Sequence, residues 1–287
     1  MRGTRKRGQA GLWNACVEME AVGNRVIGAA LVHFQRPLRQ CYEAGVQAPT
    51  LRSLRHTAPD MNAAALFLRR TLNDLRSTWL LVQAGYTSQA ASVCAALVEH
   101  ALSVTALAGL PENLAKLTGT ASGDLIWSVQ SLSQMYADRL RREAHSASRP
   151  FTEDMYERQW REIYSAYKFL CKIKHPTLRS TRHDAGATIG SDGSFVVMAC
   201  PDLRPSDLPV KATVVMVALS RTYQAIRGFA FALEPRKDAA YRRFVRRMSR
   251  VVPAATKAYL KYTRLRLPFD IRDEKIAHEY FDLRRGS

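Results

Sequence analysis

From Ala90 to Ala108 the chain is apolar almost all the way round a helix. Such a helix cannot lie on a surface with one face in water. It needs neighbours on several sides, which makes it the centre of a helical bundle. The flanking segments carry the same helical periodicity, and turn signals fall between them. Pro59 and Gly85 bracket a helix over residues 60–84, because proline suits a first helical position and glycine the position just past the end. Thr87 or Ser88 then caps the central helix.

Further along, Pro111 and Gly119 delimit a short helical turn, and residues 124–144 and 152–175 read as longer helices. Pro209 opens an apolar helix to about residue 233. Residues 239–267 give one long helix or two broken at Pro253, followed by another over 273–283. Ala187 to Ile189 and Ser194 to Met198 are rich in β-branched and apolar residues and flank a glycine-containing turn, so a β-hairpin is expected near 187–199. Two short strands cannot make a sheet core. The expected fold is therefore all-α, a multi-helix bundle with a small hairpin insert and no internal repeat. Its segments are an N-terminal helical stretch (1–56), the bundle core with the insert (57–234) and basic C-terminal helices (235–287).

The five cysteines are widely spaced and contain no C-x-x-C pair, which argues against a disulfide framework or a structural zinc site and for reduced thiols in the cytoplasm. Asn14, Glu18 and Glu20 interrupt any apolar stretch behind the basic N-terminus, so no export signal is read there. The run Ala212 to Leu219 is far shorter than the ~18 apolar residues of a membrane span, and no transmembrane segment is expected.

Charge is the strongest functional signal. Forty-three Lys and Arg against twenty-five Asp and Glu give +18, which biases partner choice toward polyanions. Between Arg236 and Arg266 there are eleven basic residues and one acid, Asp238, so this stretch alone contributes +10. At helical pitch Arg242, Arg243, Arg246, Arg247, Arg250, Lys257, Lys261 and Arg264 occupy an arc of roughly 140°, with Phe244, Met248, Tyr259 and Tyr262 opposite. A helix that merely solvates itself gains from i,i+4 Glu–Lys pairs, and this one has almost none. A phosphate-directed, sequence-tolerant contact with RNA or DNA follows, since the aromatics lie on the packing face. An acidic protein partner or an anionic membrane surface has the same charge logic.

A second cluster sits on the helix ending at Pro176. At about 100° per residue, Trp160, Tyr164, Tyr167, Cys171 and His175 fall in one narrow sector. With Glu99 of the central helix, Tyr164, Tyr167, Cys171 and His175 outline a candidate polar pocket. Lys172, Lys174 and His175 also complement a helix C-terminus, the structural role weighed against it. Cys171 and His175 are at i,i+4, but no third group is available to orient a nucleophilic pair. His175, His183 and Asp184 have irregular spacing for metal ligands, and no metal is assigned. Walker A, G-x-G-x-x-G, H-E-x-x-H and G-x-S-x-G patterns are absent, so no cofactor is implied.

Two segments, Ala84-Gly85-Tyr86 with Gln89 to Glu99, and Tyr167-Lys-Phe-Leu-Cys171 with His175-Pro176-Thr177, resemble a group of bacterial all-helical proteins related to the HEPN (higher eukaryote and prokaryote nucleotide-binding) and abortive-infection families. The resemblance covers roughly residues 60–230 and implies a setting in defence or stress. Relatives carry an arginine four residues before the glutamate, where this chain has Ala95, so Glu99 is expected either to find another cation or polar donor or to sit on the thin polar stripe of Gln89, Ser92 and Ser103. Active HEPN proteins resemble one another in an Arg-x(4–6)-His motif, and Arg139/His145 and Arg272/His278 both have that spacing. The resemblance thus implies an alternative activity, a metal-independent ribonuclease using Arg272 and His278, the histidine as base and the arginine stabilising phosphorane charge. A second alternative is a non-catalytic scaffold that dimerises through the bundle and holds an acidic partner with the basic helix.

Overall fold

The chain folds around its most apolar helix. The computed structural model describes residues 5–53, 55, 58–119, 126–174 and 201–262, with backbone alone at 5–10 and 12. Nine α-helices account for most of the described residues, and no strand occurs among them. They are α1 (Arg5–Ala30), α2 (Val32–Gln47), α3 (Pro59–Ala84), α4 (Thr87–Leu107), α5 (Pro111–Thr118), α6 (Val129–Ser146), α7 (Glu153–Lys174), α8 (Leu208–Leu233) and α9 (Ala239–Tyr259). The hairpin expected at 187–199 lies outside the described residues.

Helix α4 packs against α3, α5, α6, α7 and α8, as an all-round apolar helix must. It is the one described helix long and apolar enough to cross a membrane by length and composition, and most of it is buried inside the bundle. Helix α3 begins with Pro59 at its first turn and stops at Gly85, whose φ of 94° lets its N–H bond Val82 O while Tyr86 N–H returns to Leu81 O. One apolar core runs from Ile27 to Tyr262 and takes in residues from each of the three sequence segments.

The cap expected from Thr87 or Ser88 does not stand at the N-cap position of α4: Tyr86 occupies it, and its side chain makes no capping hydrogen bond. Thr87 instead donates to Asp207 Oδ2 at 2.5 Å, and Lys211 pairs with the same buried carboxylate. A carboxylate inside the bundle needs donors more than a helix end with access to water needs a cap, so Thr87 serves the former. The cluster ties the start of α4 to the start of α8. Downstream the two helices cross closely at Gly228, where a Cβ would sit 2.9 Å from Thr105 Cγ2. Among the described residues no disulfide forms. Cys41 and Cys94 are fully buried, and desolvation pushes both thiols far up.

Candidate functional site

Helix α9 divides its two faces as its sequence pattern requires. Asp238 caps it, accepting the Tyr241 N–H at 2.9 Å, and that backbone hydrogen bond holds the carboxyl below the usual range. Phe244, Met248, Val251, Ala255, Ala258 and Tyr259 are buried against the bundle, with Tyr262 just beyond the helix. Arg242, Arg243, Arg246, Arg250, Lys257 and Lys261 are exposed, and Arg247 is half-buried. Pro253 lies within the continuous helix, on its exposed side. Arg264 lies outside the described residues.

The partner of α9 across this surface is α2, running antiparallel to it. At one end Arg247 pairs with Glu43 at 3.5 Å and donates to Gln47 Oε1 at 3.3 Å. At the other, Lys261 Nζ donates to His33 Nε2 at 2.7 Å, Tyr262 donates to Ala30 O, and the Tyr262 and Phe34 rings stack with centroids 6.1 Å apart. Between these fixed points lie Arg250 and Lys257 on α9 and Arg36 and Arg39 on α2. Among the described residues none of these four meets a carboxylate, and neither do Arg243 or Arg246. Two helices from opposite ends of the chain thus present one basic face.

Arg36 and Arg39 also stand at the mouth of a cleft between α2 and α3 with a volume of about 570 Å³. Its apolar parts are Leu38, Leu75 and Trp79, and Tyr42 and Arg76 join the two α2 arginines at its edge. Among the described residues no carboxylate lines it. Reasoning from sequence missed Arg36, Arg39, Tyr42, Arg76 and Trp79. The available signal was the spacing of Arg36, Arg39 and Glu43, which puts them on one side of a helix.

A larger cleft of about 920 Å³ opens between α6, α8 and α9, but its cations are largely consumed internally. Arg139 donates to Thr105 O and Ala108 O at 3.0 Å each, to Gly228 O at 2.7 Å and to Glu143 at 3.2 Å. Glu143 also takes Arg227 at 2.8 Å, and Arg55 lies between Asp60 and Glu234. In the Arg139/His145 match, the arginine is therefore committed to three carbonyls, while His145 is exposed. Six residues apart, the two project from the helix about 120° from one another. Arg272 and His278 lie outside the described residues.

The polar cluster on α7 has a definite geometry of its own. Tyr167 donates to Glu99 Oε1 at 2.8 Å, so a phenol supplies what Ala95 cannot. Desolvation, then this bond, then the nearby Cys171 push the Tyr167 phenol up. Tyr164 lies 6.5 Å from Trp160, ring to ring, with Lys168 Nζ 5.8 Å from its centre. Tyr164, Tyr167 and Cys171 are all half-buried, at the edge of the face that buries Ile163, Ala166, Phe169, Leu170 and Ile173. His175 lies outside the described residues. Among the described residues no group of three or more His, Cys, Asp or Glu side chains could hold a metal ion.

Comparison with known proteins returned no matching family model, curated protein or solved structure.

Proposed function

We propose that the protein binds nucleic acid across the joined basic face of α9 and α2, through its phosphates. The observation that carries this reading is the run of exposed cations, Arg243, Arg246, Arg250 and Lys257 beside Arg36 and Arg39, with no carboxylate partner among the described residues. Like charges held this close repel, and a polyanion relieves that repulsion while releasing its own counterions. The aromatic residues of α9 are buried, so this face reads the backbone and tolerates any sequence. The Arg139 cleft lends no comparable support, because its carboxylates already neutralise most of its cations.

The test is a salt titration of affinity for duplex DNA and structured RNA in EDTA, with integrity of the RNA followed in parallel. Replacing Arg243, Arg246 and Arg250 with glutamine lowers affinity and flattens the slope of log K against log salt by about 3 for duplex DNA, roughly 0.9 for each phosphate that is no longer neutralised. Far-UV circular dichroism stays the same, since all three side chains are exposed. Unchanged affinity and slope overturn the reading. RNA cleaved in EDTA moves the assignment to the ribonuclease alternative.

A further inference from the structure

Resting on that reading, we propose that the cleft between α2 and α3 receives one unpaired base of the bound strand, so that the protein prefers single-stranded nucleic acid. The basic face supplies a track for phosphates, and Arg36 and Arg39 belong both to that track and to the mouth of the cleft. A strand laid along α2 therefore passes over an opening about 570 Å³ in volume, within the range of small-molecule sites. What lies inside suits a nucleobase rather than another phosphate. Trp79 is 7% exposed and forms the floor with Leu38 and Leu75, while Tyr42 is 38% exposed and offers a ring at the side.

Three guanidinium groups around an aromatic, acid-free cleft match a ligand with a planar apolar part and a negative tether. Arginine stacks on bases as well as pairing with phosphate. A duplex satisfies only the second half of that description, because its bases are stacked and paired inside the helix. A single strand can splay one base outward and stack it on an aromatic side chain. The phosphate track alone binds both forms, and the cleft adds affinity for one of them.

The experiment compares a single-stranded oligonucleotide, the same sequence as duplex, and an abasic strand with the same number of phosphates, each bound to the full chain. Expected are tighter binding of the base-bearing strand than of the abasic one by about tenfold, and loss of that advantage in Tyr42→Ala and Arg76→Gln with duplex affinity unchanged. In a protein whose Trp13, Trp127 and Trp160 are replaced by phenylalanine, the remaining Trp79 emission changes on binding the base-bearing strand only. Photocrosslinking of a 5-iodouracil strand to the unaltered protein, mapped by mass spectrometry to Tyr42 or Trp79, gives the same answer without those replacements. Equal affinity for abasic and base-bearing strands, with crosslinks elsewhere, overturns the base site and leaves the phosphate track standing. Failure of all three ligands to bind removes the track as well.

Discussion

Arg139 shows how much of this chain's positive charge is structural. Its guanidinium is almost fully buried, and desolvation lowers its pKa, with Glu143 opposing. It bonds two carbonyls at the end of α4 and a third on α8, and so closes the helix end that would otherwise leave acceptors bare inside the protein. Its value lies in geometry: three separate nitrogens of a planar fork reach three carbonyls and Glu143 at once, a span that the single nitrogen of an ammonium does not cover. Arg139→Gln is expected to cost about 3–5 kcal/mol, the usual range for removing one member of a buried charged network. Arg139→Lys recovers only part of that. Guanidinium denaturation measures both, and a loss under about 1 kcal/mol for the glutamine variant would show that the network contributes little.

At the scale of elements, the crossing of α4 and α8 depends on a missing methyl group. Alanine in a helix is ordinarily worth about 1 kcal/mol over glycine. At Gly228 the new Cβ would meet Thr105 Cγ2 at 2.9 Å, on a buried β-branched side chain that cannot swing away. Gly228→Ala is therefore expected to destabilise by about 1–3 kcal/mol. Combining it with Thr105→Ser removes the clashing methyl and returns part of the loss. A double-mutant cycle with no coupling between the two sites would contradict this account. Much of this architecture was legible in the chain: Pro59 and Gly85 bound α3, and the all-apolar run from Ala90 became the centre. The amphipathic division of α9 was legible too, because a helix face is a local pattern. The α2–α3 cleft was not, since Arg36 and Arg76 come together only through tertiary packing of two helices. Nor was the role of Thr87, because its Asp207 partner lies 120 residues away and outcompetes the local cap.

For the molecule as a whole, burial sets an alkaline limit. Cys41 and Cys94 are raised by desolvation, and Tyr136, Tyr167 and Tyr262 are raised chiefly by the same cause. In each case the folded state holds its proton longer than the unfolded chain does. The stabilisation is thus complete below the unfolded values, about 8.5 for thiols and about 10 for phenols, and is lost as pH climbs through the folded ones. Each buried thiol then removes about 1.4 kcal/mol of stability per pH unit. Melting temperature is expected to hold steady near pH 7–8 and to fall progressively above about pH 9. A flat profile to pH 11 would mean that these groups are wetter than their packing indicates.

The antiparallel clasp of α2 and α9 also has a history in time. Gln47 and Ala240, which meet across it, are 193 residues apart. At a synthesis rate of about 5–20 residues per second, α2 leaves the ribosome roughly 10–40 s before its partner exists. During that interval part of its inner surface is uncovered, and Phe34 waits for the ring of Tyr262. The nascent chain therefore passes through a stage at which its two ends have not met, when it is sticky and its joined basic face is not yet assembled. A ribosome that stalls before α9 leaves a product prone to aggregate.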